Sequence, residues 1–446
     1  MPVLWETAYP KSPVFYRRLK RVYPRIVRGE GVWLTDSDGR RYLDGCSGAY
    51  VSNLGHGVSE IADAVADQAK RFSYVNATAF THDAAEELAE ELARICPKPL
   101  DKSFFLCSGT DVVEAAFKLS RQHFAETGRP KKTRVLSLAP GYHGNTILSL
   151  SASSRPPYKT MFDGWLIDFP SVQAPYPYRF AKDHPSMTGE LLEDAILREG
   201  PETIAAFIAE PVGGSSTGAS IPRPGYWKKV RALCDKYEIF WIADEVLTGI
   251  GRTGTWSALE PYGAVPDMLL FGKGLTGGYT ALSALVTNED VLRPIALGSG
   301  ALLHNATFSH SAVGCAAGIA SIRYLREKKL VERSAEMGSV LHKKLEALLD
   351  RPEVGDVRGR GLLAGIEFVE NKETKEPFAR DLRFAENFAD AALAAGLVVW
   401  PATGGADGIN GDFAMLAPPF IITEDEINEI VKKFTLALDT MTAEAK

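Results

Sequence analysis

The sequence predicts an α/β protein: a large domain with a mainly parallel central sheet covered by helices, plus a smaller α+β domain. Three observations carry this. Short, near-continuous apolar runs recur through the middle of the chain, "SFFLC", "RVLSL", "AAFIAE", "IFWIAD", "MLLF" and "LSALV". Helix-like segments such as "VVEAAFKLSRQHF" and "GYWKKVRALCDKY" separate several of them. Apolar strands with crossover helices describe a sheet buried on both faces. At 446 residues, the chain is also long enough for two or three domain-sized units with a large core.

The elements follow in order. "GVWLTDSDGRRYLDG" is two β-prone runs around Asp38-Gly39, a hairpin turn. From about Val58 to Cys96 the pattern is helical, and "AAEELAEELARI" puts Leu88 and Leu92 on one face. The six apolar runs come next. After about Ile319 helices dominate, followed by "GLLAGIEF", "GLVVW" and "FAMLAPPFIIT", the strands of the smaller domain. The expected division is 1–57 as an N-terminal segment joining the small domain, 58–325 as the large domain and 326–446 as the C-terminal small domain.

Composition narrows the function classes. With 45% hydrophobic and 24% charged residues, wholesale disorder is excluded. A formal net charge of −6 argues against nucleic-acid and anionic-membrane partners, which ask for a basic face. The cysteines, Cys46, Cys96, Cys107, Cys234 and Cys315, lie far apart with no C-x-x-C pair, which suits reduced thiols. The start carries no apolar signal core and no run reaches the length of a membrane span, so a cytoplasmic protein is expected.

In such sheets, chemistry collects at the carboxyl ends of the strands. Four features stand there. "FFLCSGTDVVEAAFKL" reads as strand, Ser108-Gly109-Thr110, helix; these residues either cradle an anion at a helix start or only cap the helix. "IFWIADEV" ends in Asp244 and Glu245, and a carboxylate ending a buried strand asks for a cationic partner unless it caps a turn. "APGYHGNT" places Tyr142 and His143 in a glycine-bounded loop, where an aromatic ring either stacks on a planar ligand or simply packs. Lys273 follows "MLLF", fenced by Gly272 and Gly274. Most lysines are surface charges, but glycines on both sides point to close approach by something.

Several readings fail on spacing. "GIGRTG" satisfies G-x-G-x-x-G, but Pro261 and Gly263 arrive too soon for a following helix. "FGKGLT" is not a P-loop, because Gly274 replaces the Ser or Thr that should follow the lysine. No H-x-x-x-H or H-E-x-x-H supports a metal. An anion cradle, a buried carboxylate, a stacking aromatic and a lysine at adjacent strand ends together suit pyridoxal 5′-phosphate. Its phosphate needs amides, its ring nitrogen a carboxylate, its aldehyde a lysine and its ring flat packing.

The order "SGT", "YHG", "EPV", "ADEVLTGIGRTG", "FGKGLTGGY" and "ATFSH" resembles the class III pyridoxal-phosphate aminotransferases of fold type I. The resemblance runs from "RGEGVWLTDSDGRRYLDG" to "MLAPPFIIT", nearly the whole chain. It implies that Ser108, Gly109 and Thr110 hold the phosphate, and that Tyr142 and Val246 cover the two ring faces. It further implies that His143 orients its loop, Asp244 holds the pyridine nitrogen and Lys273 is the Schiff-base lysine. Glu210 would face the substrate side and Tyr50 would line the substrate pocket. Thr307 would reach the phosphate of a partner subunit, which implies a homodimer. The implied activity is ping-pong transfer of an amino group from an amine or ω-amino compound to a 2-oxo acid, pyruvate being the expected acceptor. Decarboxylase, racemase, mutase and phospho-lyase chemistry would keep the same cofactor residues, and a non-catalytic cofactor binder or a dehydrogenase are more distant readings.

One position departs from the pattern. Many members carry an arginine just before "APP", and the aligned residue here is Met415. Methionine offers no charge-assisted donor. Either the pocket is apolar and favours amines, or the carboxylate-binding arginine has moved elsewhere, Arg252 being one candidate.

Overall fold

The computed structural model describes residues 12–444. Fifteen strands are labelled here in chain order: β1 (Ile26–Glu30), β2 (Trp33–Asp36), β3 (Arg41–Asp44), β4 (Lys102–Leu106), β5 (Arg134–Ala139), β6 (Ser171–Gln173), β7 (Ile204–Ala209), β8 (Phe240–Asp244), β9 (Met268–Phe271), β10 (Ser283–Thr287), β11 (Val354–Gly359), β12 (Ala364–Phe368), β13 (Leu397–Val398), β14 (Trp400–Thr403) and β15 (Asp412–Leu416). Each of the six apolar runs became a strand of one sheet, in the order β4-β10-β9-β8-β7-β5-β6. From β9 to β6 all neighbours are parallel, while β10 runs antiparallel to both β9 and β4. The α/β expectation holds, with one reversed strand. The connection from β9 to β10 is too short to carry a crossover helix, so the chain turns back on itself.

Alternation along the strands explains why they read as continuous apolar runs. In β8, Trp241 and Ala243 enter one core cluster, and Ile242 enters the other. In β9, Leu269 and Phe271 face the first and Met268 and Leu270 the second. One face is covered by the helix Gly109–Glu126, through Val112, Val113 and Ala116. The other is covered in part by Tyr226–Lys236, whose Trp227 stacks on Trp241 with ring centroids 5.4 Å apart. Fully burying one such aromatic is worth a few kcal/mol, so both faces are anchored independently.

The hairpin around Asp38-Gly39 is β2–β3, with Gly39 at φ +79° and the Asp36 carboxylate accepting from the Asp38 and Arg40 amides and from the Tyr42 hydroxyl. β13 pairs in parallel with β3, so the N-terminal hairpin shares a sheet with residues from the far end of the chain. A second four-stranded sheet, β11-β12-β15-β14, follows the helices Ala312–Glu327 and Leu330–Leu345. Among the described residues, no helix is long and apolar enough to cross a membrane. The five cysteines are all free.

Candidate active site

The carboxyl ends of β5, β7, β8 and β9 bring Tyr142, His143, Glu210, Asp244 and Lys273 together. Asp244 ends β8 and is almost fully buried. A 2.8 Å hydrogen bond joins its Oδ2 to Nδ1 of His143, and its Oδ1 accepts from the Val246 amide at 3.2 Å. The His143 ring is buried too, and its Nε2 has no partner among the described residues.

Glu210 follows β7. Its carboxylate accepts from the Tyr142 amide (3.2 Å), the Ser216 hydroxyl (2.8 Å) and the Gly214 amide (2.8 Å). Burial raises its pKa, and the nearby Asp244 charge adds to the rise while His143 opposes it. Glu210 thereby ties the Tyr142 loop to the loop after β7, a role its place after an apolar run did not reveal.

Lys273 adopts φ +39°, the left-handed region that non-glycine residues rarely enter. Such strain, of about 1–3 kcal/mol, persists only where surroundings enforce it. Its neighbour Gly272 is extended, and a Cβ at Gly274 would lie 2.8 Å from the Asn53 amide nitrogen. Burial lowers the Lys273 pKa from the ordinary 10.5, with Asp244 and then Glu210 pulling it back up. The amine forms no ion pair among the described residues. Uncommitted, near two carboxylates and easier to deprotonate than a surface lysine, it is equipped for nucleophilic and basic chemistry.

Ser108 caps the helix Gly109–Glu126 in a reciprocal box with Asp111: its amide donates to the Asp111 carboxylate at 2.9 Å and its Oγ accepts from the Asp111 amide at 3.4 Å. The capping role is therefore real, and the following amides of Gly109 and Thr110 lie in the first turn, without intrahelical partners. The Thr110 hydroxyl meets those of Ser149 (2.7 Å) and Thr146 (3.0 Å). Gly109 has a steric reason: a Cβ there would sit 2.8 Å from Cγ1 of Val246.

The expected pocket residues are split. Tyr50 is buried at φ +66°, and its hydroxyl donates to Sδ of Met415 at 3.2 Å. Met415 is 0% exposed and offers no surface of its own, which corrects the expectation that it lines a pocket. Trp400, directly across the β14–β15 ladder from Met415, is half-buried, with its ring 5.6 Å from that of Tyr50. Strand alternation hid this, because only the three-dimensional ladder shows which of the pair keeps open surface. Arg252 is also spent. Its Nη1 donates to the Leu362 and Pro418 carbonyls at 2.8 and 2.7 Å, and its Nη2 to the Ser47 hydroxyl at 3.3 Å. Thr307 lies on an exposed stretch, beside the exposed Phe308. The glycine-rich "GIGRTG" is a turn: Gly251 and Gly254 take φ +90° and +86°, and the buried Glu245 carboxylate accepts from the Ser257 hydroxyl and the Ala258 amide.

The family pattern of aminotransferase class-III matches residues 15–438. A diaminobutyrate–2-oxoglutarate transaminase of Halomonas elongata is 34% identical over 431 residues, covering 94% of this chain and 90% of its own. A putrescine–pyruvate aminotransferase of Pseudomonas aeruginosa is 33% identical over 436 residues, covering 96% and 93%. The omega-transaminase of Pseudomonas jessenii, solved in complex with PMP, superposes with a TM-score of 0.89 at 33% identity, covering 98% of this chain and 97% of its own. The fold and site thus define a pyridoxal-phosphate-dependent transaminase of fold type I. The chain belongs to the class III aminotransferase family.

Proposed function

We propose that this transaminase takes its amino group from an amine or ω-amino compound and delivers it to a 2-oxo acid, with pyruvate as the acceptor. The observation carrying this reading is the cluster at the strand ends: an uncommitted Lys273 beside a buried Asp244 that His143 holds in place. The diaminobutyrate and putrescine relatives are named for donors with a primary amine on an alkyl chain, the first of which also carries a carboxylate, and for different acceptors. The aromatic pair Tyr50–Trp400 supports an apolar wall that accepts such a chain.

The cluster suits the cofactor. When bound, pyridoxal phosphate supplies an aldehyde for covalent capture of the amine and a ring that stores an electron pair. Lys273 would hold the aldehyde, and Asp244 the ring nitrogen. Tyr142 and Val246 would cover the ring, and the first-turn amides at Gly109 and Thr110, with Ser108, would hold the phosphate. Once displaced, Lys273 is a neutral amine at lower pH than an ordinary lysine, because burial disfavours its charge. Its Nζ would then be the base able to take a proton from the substrate carbon and to hold it. The His143 and Val246 bonds engage both Asp244 oxygens and fix the carboxylate in place. In this reading Thr307, exposed in the single chain, serves the site of a second copy in a homodimer.

Two measurements test it. Borohydride reduction of the holoenzyme should fix the cofactor on the peptide carrying Lys273; labelling of another lysine overturns the assignment. A screen of half-reactions should show amines bleaching the cofactor band and pyruvate restoring it. A clear preference for glutamate with 2-oxoglutarate over every amine–pyruvate pair refutes the substrate class.

A further inference from the structure

Loss of a cation at Met415 and the commitment of Arg252 leave one question: what meets the negative charge of a 2-oxo acid. The segment "SSRPPYK" bears on it. Arg155 precedes Pro156, which opens the short helix Pro156–Lys159, and its backbone is held extended (φ −129°, ψ 92°) as a residue before proline must be. The side chain is only 8% exposed, yet it enters no ion pair among the described residues. Its partners are neutral: Nη2 donates to the Thr403 carbonyl at 2.9 Å, and Nη1 makes a long 3.4 Å bond to the Ser215 hydroxyl. The guanidinium also lies 4.9 Å from the centre of the Tyr158 ring. A buried guanidinium with only neutral partners keeps its charge available to an anion, and its planar fork is shaped for a carboxylate.

Its position fits the reaction. Tyr158, on which it stacks, has its ring 6.4 Å from that of Tyr142. Ser215 is followed by Ser216, whose hydroxyl holds Glu210. The field of Arg155 reaches the phenols of both Tyr50 and Tyr142, opposing the rise that burial causes in each. Arg155 also borders a cavity of about 460 Å³ that Lys159, Gln173 and Asp163 line and that none of the strand-end cluster enters, so its link to the reaction runs through Tyr158, Ser215 and Thr403 instead. Asp407, on the same cavity, is already turned onto the Ile409 and Asn410 amides of its own loop.

We propose that Arg155 is the specificity-determining cation that receives the carboxylate of the 2-oxo acid acceptor, between Tyr142 and the Tyr50–Trp400 wall. This rests on the transaminase reading above, and it assigns the arginine that the position before "APP" lacks. A simple amine donor, having no carboxylate, makes no demand on it.

The test separates the two halves of the reaction. Arg155→Met and Arg155→Lys holoenzymes are first aminated with a simple amine, and the rate of cofactor reduction is followed. The aminated enzymes then meet pyruvate, 2-oxoglutarate or butanal, an acceptor with no carboxylate. A lost charge-assisted pair predicts a fall of about 10- to 100-fold in acceptor kcat/KM for both oxo acids with Arg155→Met. Arg155→Lys should recover part of this, while butanal and the amine step change less than about threefold. Equal loss with butanal and the oxo acids makes Arg155 a structural residue and overturns the proposal; unchanged oxo-acid kinetics overturn it too. If Arg155→Met fails to fold, the same contrast in Arg155→Lys decides. Failure of the transaminase reading looks different: the unmodified enzyme would then transfer no amino group to any acceptor.

Discussion

Replacing Gly109 by alanine sets two known energies against each other. Gly109 is the first residue of an 18-residue helix, and its φ is not positive, so propensity alone favours alanine by up to about 1 kcal/mol. Against this, the new Cβ would stand 2.8 Å from Cγ1 of Val246 and 3.2 Å from its Cγ2. Ordinary carbon contacts begin near ~3.5 Å, so an overlap of most of an ångström must be relieved. Overpacking of this kind costs about 1–3 kcal/mol, which leaves a net loss of about 0–2 kcal/mol once the full helix gain is set against it. Adding Val246→Ala removes the clash and should let the helix gain reappear, with a coupling of about 1–3 kcal/mol in the double-mutant cycle. The assays are equilibrium unfolding of the cofactor-free protein and the rate of cofactor release from the holoenzyme, since the displaced residue is the one proposed to cover a ring face. If Gly109→Ala is as stable as the parent and holds cofactor equally well, or if the two substitutions are additive, the steric argument for this glycine is wrong.

Two further outcomes follow from the same geometry. Arg252→Lys gives up bonds to the Leu362 and Pro418 carbonyls and should lose about 2–4 kcal/mol of unfolding free energy while leaving the KM for oxo acids within twofold; a raised KM with no loss of stability would return Arg252 to the substrate. In the cofactor-free protein, Asp244→Asn removes the first of the two charges that hold the Lys273 pKa up, so the pH profile of Lys273 labelling by an amine reagent should shift to lower pH, because the neutral amine becomes available sooner. The linked stability has the same sign: the unfolded chain binds a proton that the folded amine has given up, so the cost of burying Lys273 fades as pH rises toward 10.5 and is fully present below the folded pKa. A labelling profile that stays put, or moves up, contradicts this.

Much of the fold was legible because the sheet is buried on both faces. Strands such as "IFWIAD" and "MLLF" feed two core clusters alternately, so each is apolar at nearly every position, and their carboxyl ends mark where Asp244 and Lys273 emerge. The edge strand Ser171–Gln173, three residues with an exposed start, carries no such pattern and left no signal. The reversal of β10 is written in the shortness of its connection, not in its composition. The site was readable where local chemistry demanded unusual residues, as at Ser108 and Gly109. It was not readable where a residue's neighbours come from far along the chain. Arg155 meets Thr403, and Tyr50 meets Met415, across gaps that no periodicity spans.

A transaminase must hold two unlike molecules in one place, and the arrangement around Arg155 suggests how the conflict is contained. Were its guanidinium bare, an amine donor would leave it as an uncompensated buried charge, and the donor step would bear that cost on every turnover. Here the charge is partly compensated before any substrate arrives, by the Thr403 carbonyl and by the face of Tyr158, a contact worth about 0.5–2 kcal/mol. Neither partner is anionic, so neither competes at full strength with a carboxylate, whose two oxygens match the guanidinium fork. Arg155 is therefore tolerable when the site holds an alkyl amine and rewarding when it holds an oxo acid. Strengthening its resting partners, by converting Ser215 to aspartate, should raise the KM for pyruvate and leave the amine step intact, because the built-in carboxylate would then hold the place reserved for the substrate's.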